Sequence, residues 1–136
     1  MRSRLSQALR GRHAGRVSGS DDNGSADDPG DLEVHATTID TTLRIVVRGE
    51  ADRSNSADLG RTLEAIDLSA VTRTRISLGG LTFCDLAGFE VLADYLDGLK
   101  ERGLRPLVDS ASDGVRLVAH VDGRPALLDG RPPWTW

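Results

Sequence analysis

The sequence predicts an α/β fold, in which a mixed β-sheet of four or five strands has helices packed mainly on one face. Segments in which apolar residues alternate with polar ones, the period of a strand, take turns with segments in which apolar residues recur at helical spacing. The chain opens with two strands in succession, whereas each later strand follows a helix. A tight turn joins antiparallel strands and a helical crossover joins parallel ones, so the predicted sheet is mixed.

The first half of the pattern predicts a hairpin and a helix. A strand at residues 32–39 turns at residues 40–41 into a second strand at residues 43–47. A polar connection over residues 49–56 follows and offers two helix caps, Asn55 and Ser56. The apolar side of the first helix is formed by Leu59, Leu63 and Ile66.

The second half alternates strands and helices. Residues 75–78 form the third strand, residues 86–100 the second helix, and Gly103 stops that helix before a fourth strand at residues 104–108. A third helix opens at Ser110 or Ser112. Its apolar side is formed by Val115, Val118 and either His120 or Val121.

Residues 79–88, which join the third strand to the second helix, are the most informative part of the chain. Asp85 is the natural N-cap there, because its carboxylate accepts hydrogen bonds from first-turn amides and its charge suits the positive end of the helix dipole. Asp52 follows the second strand. Both aspartates lie at carboxyl ends of strands, where open α/β sheets place their sites, although turns and caps also favour Asp for local reasons.

Composition limits the function. The 136 residues suit one domain, and the net charge of −4 disfavours nucleic acid as a partner. No apolar run approaches the ~20 residues that span a bilayer, so no membrane insertion is expected. Cys84 is the only cysteine, which excludes an internal disulfide and favours the cytoplasm. Cys84 is predicted to be a buried packing residue and not a catalytic one. No catalytic residue, metal site or cofactor is predicted.

The two ends of the chain differ from its middle. Residues 1–30 are predicted to form a disordered arm, with arginines up to Arg16 followed by a block of aspartates from residue 21. Residues 31–124 form the domain, and residues 125–136 form a tail. Trp134 and Trp136 in that tail either anchor a partner or pack on the domain's own sheet.

Residues 85–88 resemble the signature of the STAS family, which includes bacterial anti-sigma factor antagonists and the cytoplasmic tails of sulfate transporters. The signature typically reads Asp, Ser, Ser or Ala, Gly before a Leu-rich helix. Residues 49–52 look like the turn after the second strand of antagonists, and residues 82–83 match the approach to the signature. The resemblance covers residues 32–123, and the C-terminus departs from the pattern, so the family's last helix is not assumed.

The resemblance implies a non-enzymatic protein-interaction module, an anti-sigma factor antagonist that binds an anti-sigma factor of the histidine-kinase-like ATPase class. In anti-sigma factor antagonists the second serine of the signature is the usual phosphorylation site. Here Ala87 occupies that position, so the phosphosite is degenerate. The implied partner-binding residues are Asp52, Asp85, Leu86, Ala87 and Gly88. Other partners stay open: another STAS protein in a scaffold, or a transporter ATPase with a soluble STAS subunit.

Two further hypotheses concern regulation and chemistry. A hydroxyl near the same edge, on Ser54, Ser56 or Thr82, is a candidate for a different phosphoswitch. A small-ligand sensor, or a minor enzyme that uses Asp52 and Asp85, is the alternative from another class.

Overall fold

The computed structural model describes residues 31–128. Within this part of the chain the strands are β1 (Glu33–Ile39), β2 (Thr42–Ala51), β3 (Arg73–Leu78), β4 (Leu81–Cys84) and β5 (Pro106–Ala111). The helices are α1 (Ser56–Glu64), α2 (Leu86–Glu101) and α3 (Asp113–Val121), and a short 3₁₀ turn at Pro125–Leu128 follows.

The strands form one mixed sheet, as the sequence predicts. Its order is β1-β2-β3-β5, and β4 also pairs with β2. β1 and β2 are antiparallel and are joined by a two-residue turn in which Asp40 has a positive φ of 57°. The pairs β2–β3, β2–β4 and β3–β5 are parallel. The opening hairpin and the helical crossovers are therefore confirmed.

The third strand is broken, which the sequence analysis missed. β3 ends at Leu78, and after Gly79 and Gly80 the chain resumes as β4, which pairs with the last three residues of β2. A bulge between Gly49 and Glu50 accompanies the break. β2 therefore continues to Ala51, and the prediction that residues 49–51 belong to a polar connection is wrong. Parallel pairing with β4 accounts for the extra length of β2. The periodicity of a single strand does not indicate which strand it pairs with.

Two later boundaries also differ from the prediction. The last strand spans Pro106–Ala111 rather than residues 104–108, because its pairing with β3 shifts register at Ser77 and draws Ser110 and Ala111 into the sheet. Ser112, not Ser110, caps α3, and its hydroxyl accepts from the Val115 amide at 3.2 Å. On α3 the buried residues are Val115 and Ala119, whereas His120 and Val121 are exposed.

The core lies between one face of the sheet and the helices. The buried side chains of β1, β2 and β3 alternate along each strand, and α2 contributes seven buried residues to the same core. Among the latter, Phe89 is the largest fully buried side chain. The stop of α2 at Gly103 is confirmed, since its φ of 75° is accompanied by a bond from the Leu104 amide to the Leu99 carbonyl.

The opposite face of the sheet carries no helix of residues 31–128 and presents the polar members of the strand alternation. In the same range, no helix has the length and apolarity that crossing a bilayer requires. The predictions about the arm at residues 1–30, and about Trp134 and Trp136, fall on residues outside those that the structure describes.

Candidate functional site

The candidate site is a corner formed where β2 and β4 end side by side. The two strands are parallel neighbours, so Asp52 and Asp85, which follow them directly, come to the same edge of the sheet. The Asp85 amide donates to the Ala51 carbonyl at 3.1 Å, which continues the ladder into the corner. The sequence-based placement of both aspartates at carboxyl ends of strands is confirmed.

The Asp85 carboxylate connects two segments of the corner. Its Oδ1 accepts from the Gly88 amide at 2.9 Å, which is the predicted N-cap bond. Its Oδ2 accepts from the Arg53 amide at 3.1 Å, 32 residues away in the chain. Because both oxygens are held by backbone donors, Asp85 positions the start of α2 against the β2–α1 loop, and its geometry is that of a structural cap rather than a catalytic base.

Asp52 organises the β2–α1 loop in a similar way. Its Oδ1 accepts from the Ser54 amide at 2.9 Å, the Ser54 hydroxyl at 2.6 Å and the Asn55 amide at 3.3 Å. Local bonds of this kind are what a short Asp side chain makes in turns. Asp52 and Asp85 thus shape the same corner through separate sets of donors, an arrangement unlike that of an acid–base pair.

Asn55 occupies the N-cap position of α1, although its side chain makes no cap bond. Instead its Oδ1 accepts from the Asp52 amide at 2.8 Å and its Nδ2 donates to the Glu50 carbonyl at 3.0 Å. Asn55 is 6% exposed, so this buried amide closes the loop under the corner. The sequence placed Asn55 at the helix start and missed its contribution to the site, since both bonds depend on the fold of the loop.

Gly88 lets α2 approach β2 closely. A Cβ at this position would lie 2.8 Å from the Ala51 Cβ and 2.9 Å from the Ala51 carbonyl oxygen, closer than packed atoms tolerate. Gly88 is buried. It therefore acts on the corner through the position of α2.

The corner exposes apolar as well as polar side chains. Leu86 is 48% exposed at the first position of α2, and Ala87 beside it is half-buried. Phe83, at the end of β4, is also 48% exposed. Sequence reasoning did not name Phe83 as a site residue. The sequence shows an aromatic residue three positions before Leu86. Whether its side chain is exposed depends on the pairing of β4, which the sequence did not predict.

Cys84 lies inside the corner, not on it. It is 3% exposed, and burial, with a smaller effect of the Asp85 charge, raises the pKa of its thiol to about 12. Cys84 is therefore a protonated packing residue at neutral pH, which disfavours a nucleophilic role. Within residues 31–128 no group of three or more His, Cys, Asp or Glu side chains is placed to hold a metal ion.

The three hydroxyls considered for another phosphoswitch lie around the same edge. Ser54 donates to Asp52 as described, Ser56 donates weakly to the Arg53 carbonyl at 3.5 Å, and Thr82 donates to the Gly49 carbonyl at 3.1 Å. Ser54 and Thr82 are exposed, so both are accessible. A cavity of about 230 Å³ lies elsewhere, between the far ends of α1 and α2 and beside Tyr95, so the corner and that cavity are separate features.

The five-stranded mixed sheet, its three helices on one face and the capped corner after β4 define a STAS-type fold. Two solved structures share it. One is an anti-sigma factor antagonist from Mycobacterium paratuberculosis, with a TM-score of 0.63 and 21% identity over 79% of this chain and 91% of that chain. The other is the anti-sigma factor antagonist SpoIIAA in its unphosphorylated form, with a TM-score of 0.52 and 19% identity over 75% of this chain and 89% of that chain.

At these identities the likeness establishes the fold, and the expected STAS architecture is thereby confirmed. No protein-family model matches the sequence. No curated protein matches it either.

Proposed function

We propose that this protein is a non-enzymatic STAS module that acts as an anti-sigma factor antagonist without the usual phosphorylatable serine. Its partner is an anti-sigma factor of the histidine-kinase-like ATPase class, and it acts in the cytoplasm in transcription or stress regulation. The fold shared with two structures described as anti-sigma factor antagonists supports the class of function. The observation that carries the proposal is the exposed Leu86 beside Ala87, at the start of a helix capped by Asp85.

Docking at this corner has a clear driving force. Fully burying a Leu side chain gains about 1.5–3 kcal/mol, and Leu86 keeps roughly half of its surface available for that. Phe83, three residues earlier in the chain, is a second exposed apolar side chain. The bonds that Asp52 and Asp85 make with the surrounding amides hold the loop and the helix in place before binding, which limits the entropy that docking costs.

The missing hydroxyl has a regulatory consequence. A phosphate at the start of α2 would add about 1.5–2 negative charges beside Asp85 and disrupt an apolar interface. The methyl group of Ala87 cannot accept it. Position 87 therefore keeps one chemical form, and binding is controlled by the abundance of the protein, by competition for the partner or through another site.

A second partner class is favoured by the same surface. Exposed Leu86 stands beside the position at which a phosphorylatable serine would carry a charged phosphate, and exposed Phe83 is a further apolar side chain nearby in sequence. This favours, as the alternative, a constitutive contact with another STAS protein in a scaffold or with a transporter ATPase.

The proposal is tested by affinity capture from the native host with three baits: the natural chain, Leu86→Asp and Leu117→Asp. Leu117 is the matched control, because it is an exposed leucine on α3, a different helix from the one that begins at the corner. We expect the natural chain and Leu117→Asp to retain a histidine-kinase-like ATPase, and Leu86→Asp to bind it at least about tenfold more weakly. Equal capture by both variants, or capture of a STAS protein in place of the kinase, contradicts the proposal.

The captured kinase is then offered labelled ATP and either the natural chain or Ala87→Ser. We expect label on Ala87→Ser alone, because the rest of the corner retains the frame of the signature. Label on Ser54, Ser56 or Thr82 of the natural chain would contradict the unswitched form of the proposal. Absence of label on Ala87→Ser would count against an antagonist surface.

A further inference from the structure

Four arginines lie together on the open face of the sheet. Arg44 and Arg48 of β2 and Arg73 and Arg75 of β3 are exposed and alternate with buried core residues, so all four project away from the helices. We call them the arginine face. Arg44 and Arg75 are directly paired across the two strands, at the spacing of neighbouring strands, where like charges repel.

Three carboxylates lie on or beside this face: Glu33 of β1, which is opposite Arg48, Glu50 of β2, which follows Arg48 by two residues, and Asp109 of β5. Glu33 of β1 contacts the His35 ring at 3.3 Å, and Asp109 of β5 accepts from the Ser77 hydroxyl at 2.9 Å. None of the salt bridges formed between residues 32–128 involves the four arginines. Arg44, Arg73 and Arg75 have no carboxylate directly opposite them on a neighbouring strand, and in a protein of net charge −4 such a group of like charges points to an anionic occupant.

The chain enters the sheet beside this face. β1 begins at Glu33, which is paired with Arg48, and the Asp31 backbone packs so closely on Gly49 that only a glycine fits there. The sequence immediately before this point contains Asp21, Asp22, Asp27 and Asp28.

Reach is sufficient for these aspartates to meet the arginines. The ten residues 21–30 span up to about 33 Å when extended. Arg48 and Arg44 are four residues apart on one strand, about 13 Å, and β3 is about 5 Å further across the sheet. The residues between the aspartates are Asn, Gly, Ser and Ala, which offer little apolar surface and no bulk that would hinder close contact.

We propose that the acidic segment 21–28 docks on the arginine face of its own chain, with its carboxylates paired to the guanidinium groups. A carboxylate fits the arginine fork in a bidentate manner, and four acids are available for four arginines. The contact is electrostatic and salt-sensitive, because the segment brings little hydrophobic area. It covers the open side of the sheet and does not rest on the function proposed for the corner.

The test uses the full chain with a nitroxide attached at Ser25→Cys. Cys84 stays unmodified because it is 3% exposed and its thiol pKa is raised. At low salt we expect the label to broaden the amide signals of residues 44–48 and 73–77 selectively. Raising the salt from about 0.05 M to about 0.5 M should reduce that broadening severalfold, because screening shortens the reach of the charges.

Charge variants identify the groups responsible. We expect the broadening at residues 73–77 to be abolished when four aspartates are changed together to Asn: Asp21, Asp22, Asp27 and Asp28. The double variant Arg44→Gln with Arg75→Gln, which removes charges from the arginine face, should have the same effect. The matched control, Arg10, Arg12 and Arg16 changed together to Gln, removes charges from the basic block of the arm and should leave the broadening intact.

Three outcomes overturn the proposal. In the first, the broadening persists in the Asp→Asn variant. In the second, the broadening falls on another face of the domain, or no signal is broadened and vesicles of anionic lipid instead shift the signals of the arginine face. In the third, an isotope-labelled chain without nitroxide is broadened equally by a nitroxide-carrying second copy, which assigns the docking to another molecule.

Discussion

Gly88 and Gly98 lie on the same helix and show how different two glycines can be. A Cβ at Gly88 would collide with Ala51 on β2, whereas a Cβ at Gly98 would meet nothing within 4 Å. Gly88 is required by a close approach between elements. Gly98 only lowers the helix propensity of α2.

Replacing these glycines by alanine should therefore have opposite effects. Gly88→Ala is expected to lower the free energy of unfolding by about 1–3 kcal/mol, because α2 must move away from β2. Gly98→Ala, the matched control, is expected to raise it by about 0.5–1 kcal/mol. Urea unfolding of the three proteins measures both values, and a Gly88→Ala protein as stable as the natural chain would contradict the close approach.

At the same scale the sequence predicted Asp85 well and Asn55 incompletely. The cap bond of Asp85 is local, three residues along the chain, so position and residue type were enough. Asn55 has a cap position too, yet its side chain turns back to Asp52 and Glu50. Several local partners compete for an Asn side chain, and the course of the loop selects among them.

Between elements, Asp85 joins α2 to the loop before α1. One oxygen caps the helix, and the other accepts from the Arg53 amide of a loop that is distant in sequence. The carboxylate thereby couples two segments of the corner that the sheet brings together.

Asp85→Ala should lose both bonds and lower the free energy of unfolding by about 1.5–3 kcal/mol, of which the cap contributes about 1 kcal/mol. Asp85→Asn is the control, because its single amide oxygen can cap the helix but cannot also accept from Arg53. We expect about half of the loss for Asp85→Asn, together with faster hydrogen exchange at the Arg53 amide. An Asp85→Asn protein as stable as the natural chain would show that the Arg53 bond contributes nothing.

The broken strand β3–β4 is the element that periodicity could not resolve. Alternation predicts that residues 75–78 are extended, but it does not indicate that the chain shifts at Gly79 and Gly80 and pairs anew with the end of β2. Pairing partners are set by the whole sheet. The same limit explains why the last strand extends to Ala111, beyond its predicted end at residue 108. The register shift in its pairing with β3 is a tertiary feature.

Across the whole molecule, burial makes stability sensitive to alkali. Burial raises the pKa of Cys84 from 9.0 to about 12, with Asp85 adding to the shift. Burial likewise raises the pKa of Tyr95 from 10.0 to about 12, with Glu64 adding and Arg102 opposing. The folded protein therefore holds both protons at pH values where the unfolded chain releases them.

These two groups should make the free energy of unfolding fall from about pH 9 to about pH 12, first through Cys84 and then through Tyr95. The decline is at most about 1.4 kcal/mol per pH unit for each group. Denaturant titrations at a series of pH values measure it. Tyr95→Phe should remove the part above about pH 10 and Cys84→Ala the part that starts near pH 9, and a profile that stays flat through pH 11 would contradict the buried environment of both groups.

The sequence by itself determined the α/β class, the hairpin, the cap at Asp85 and the absence of a hydroxyl at Ala87, because each depends on residue type and short-range spacing. Only the tertiary structure decided that β2 extends to Ala51 beside β4, that Asp85 reaches the Arg53 amide, and that Phe83 is exposed near the end of β4. It also brought the arginines of two strands together on one open face. Local periodicity sets which residues face the core, whereas strand pairing sets which distant residues become neighbours, and pairing is a property of the assembled sheet.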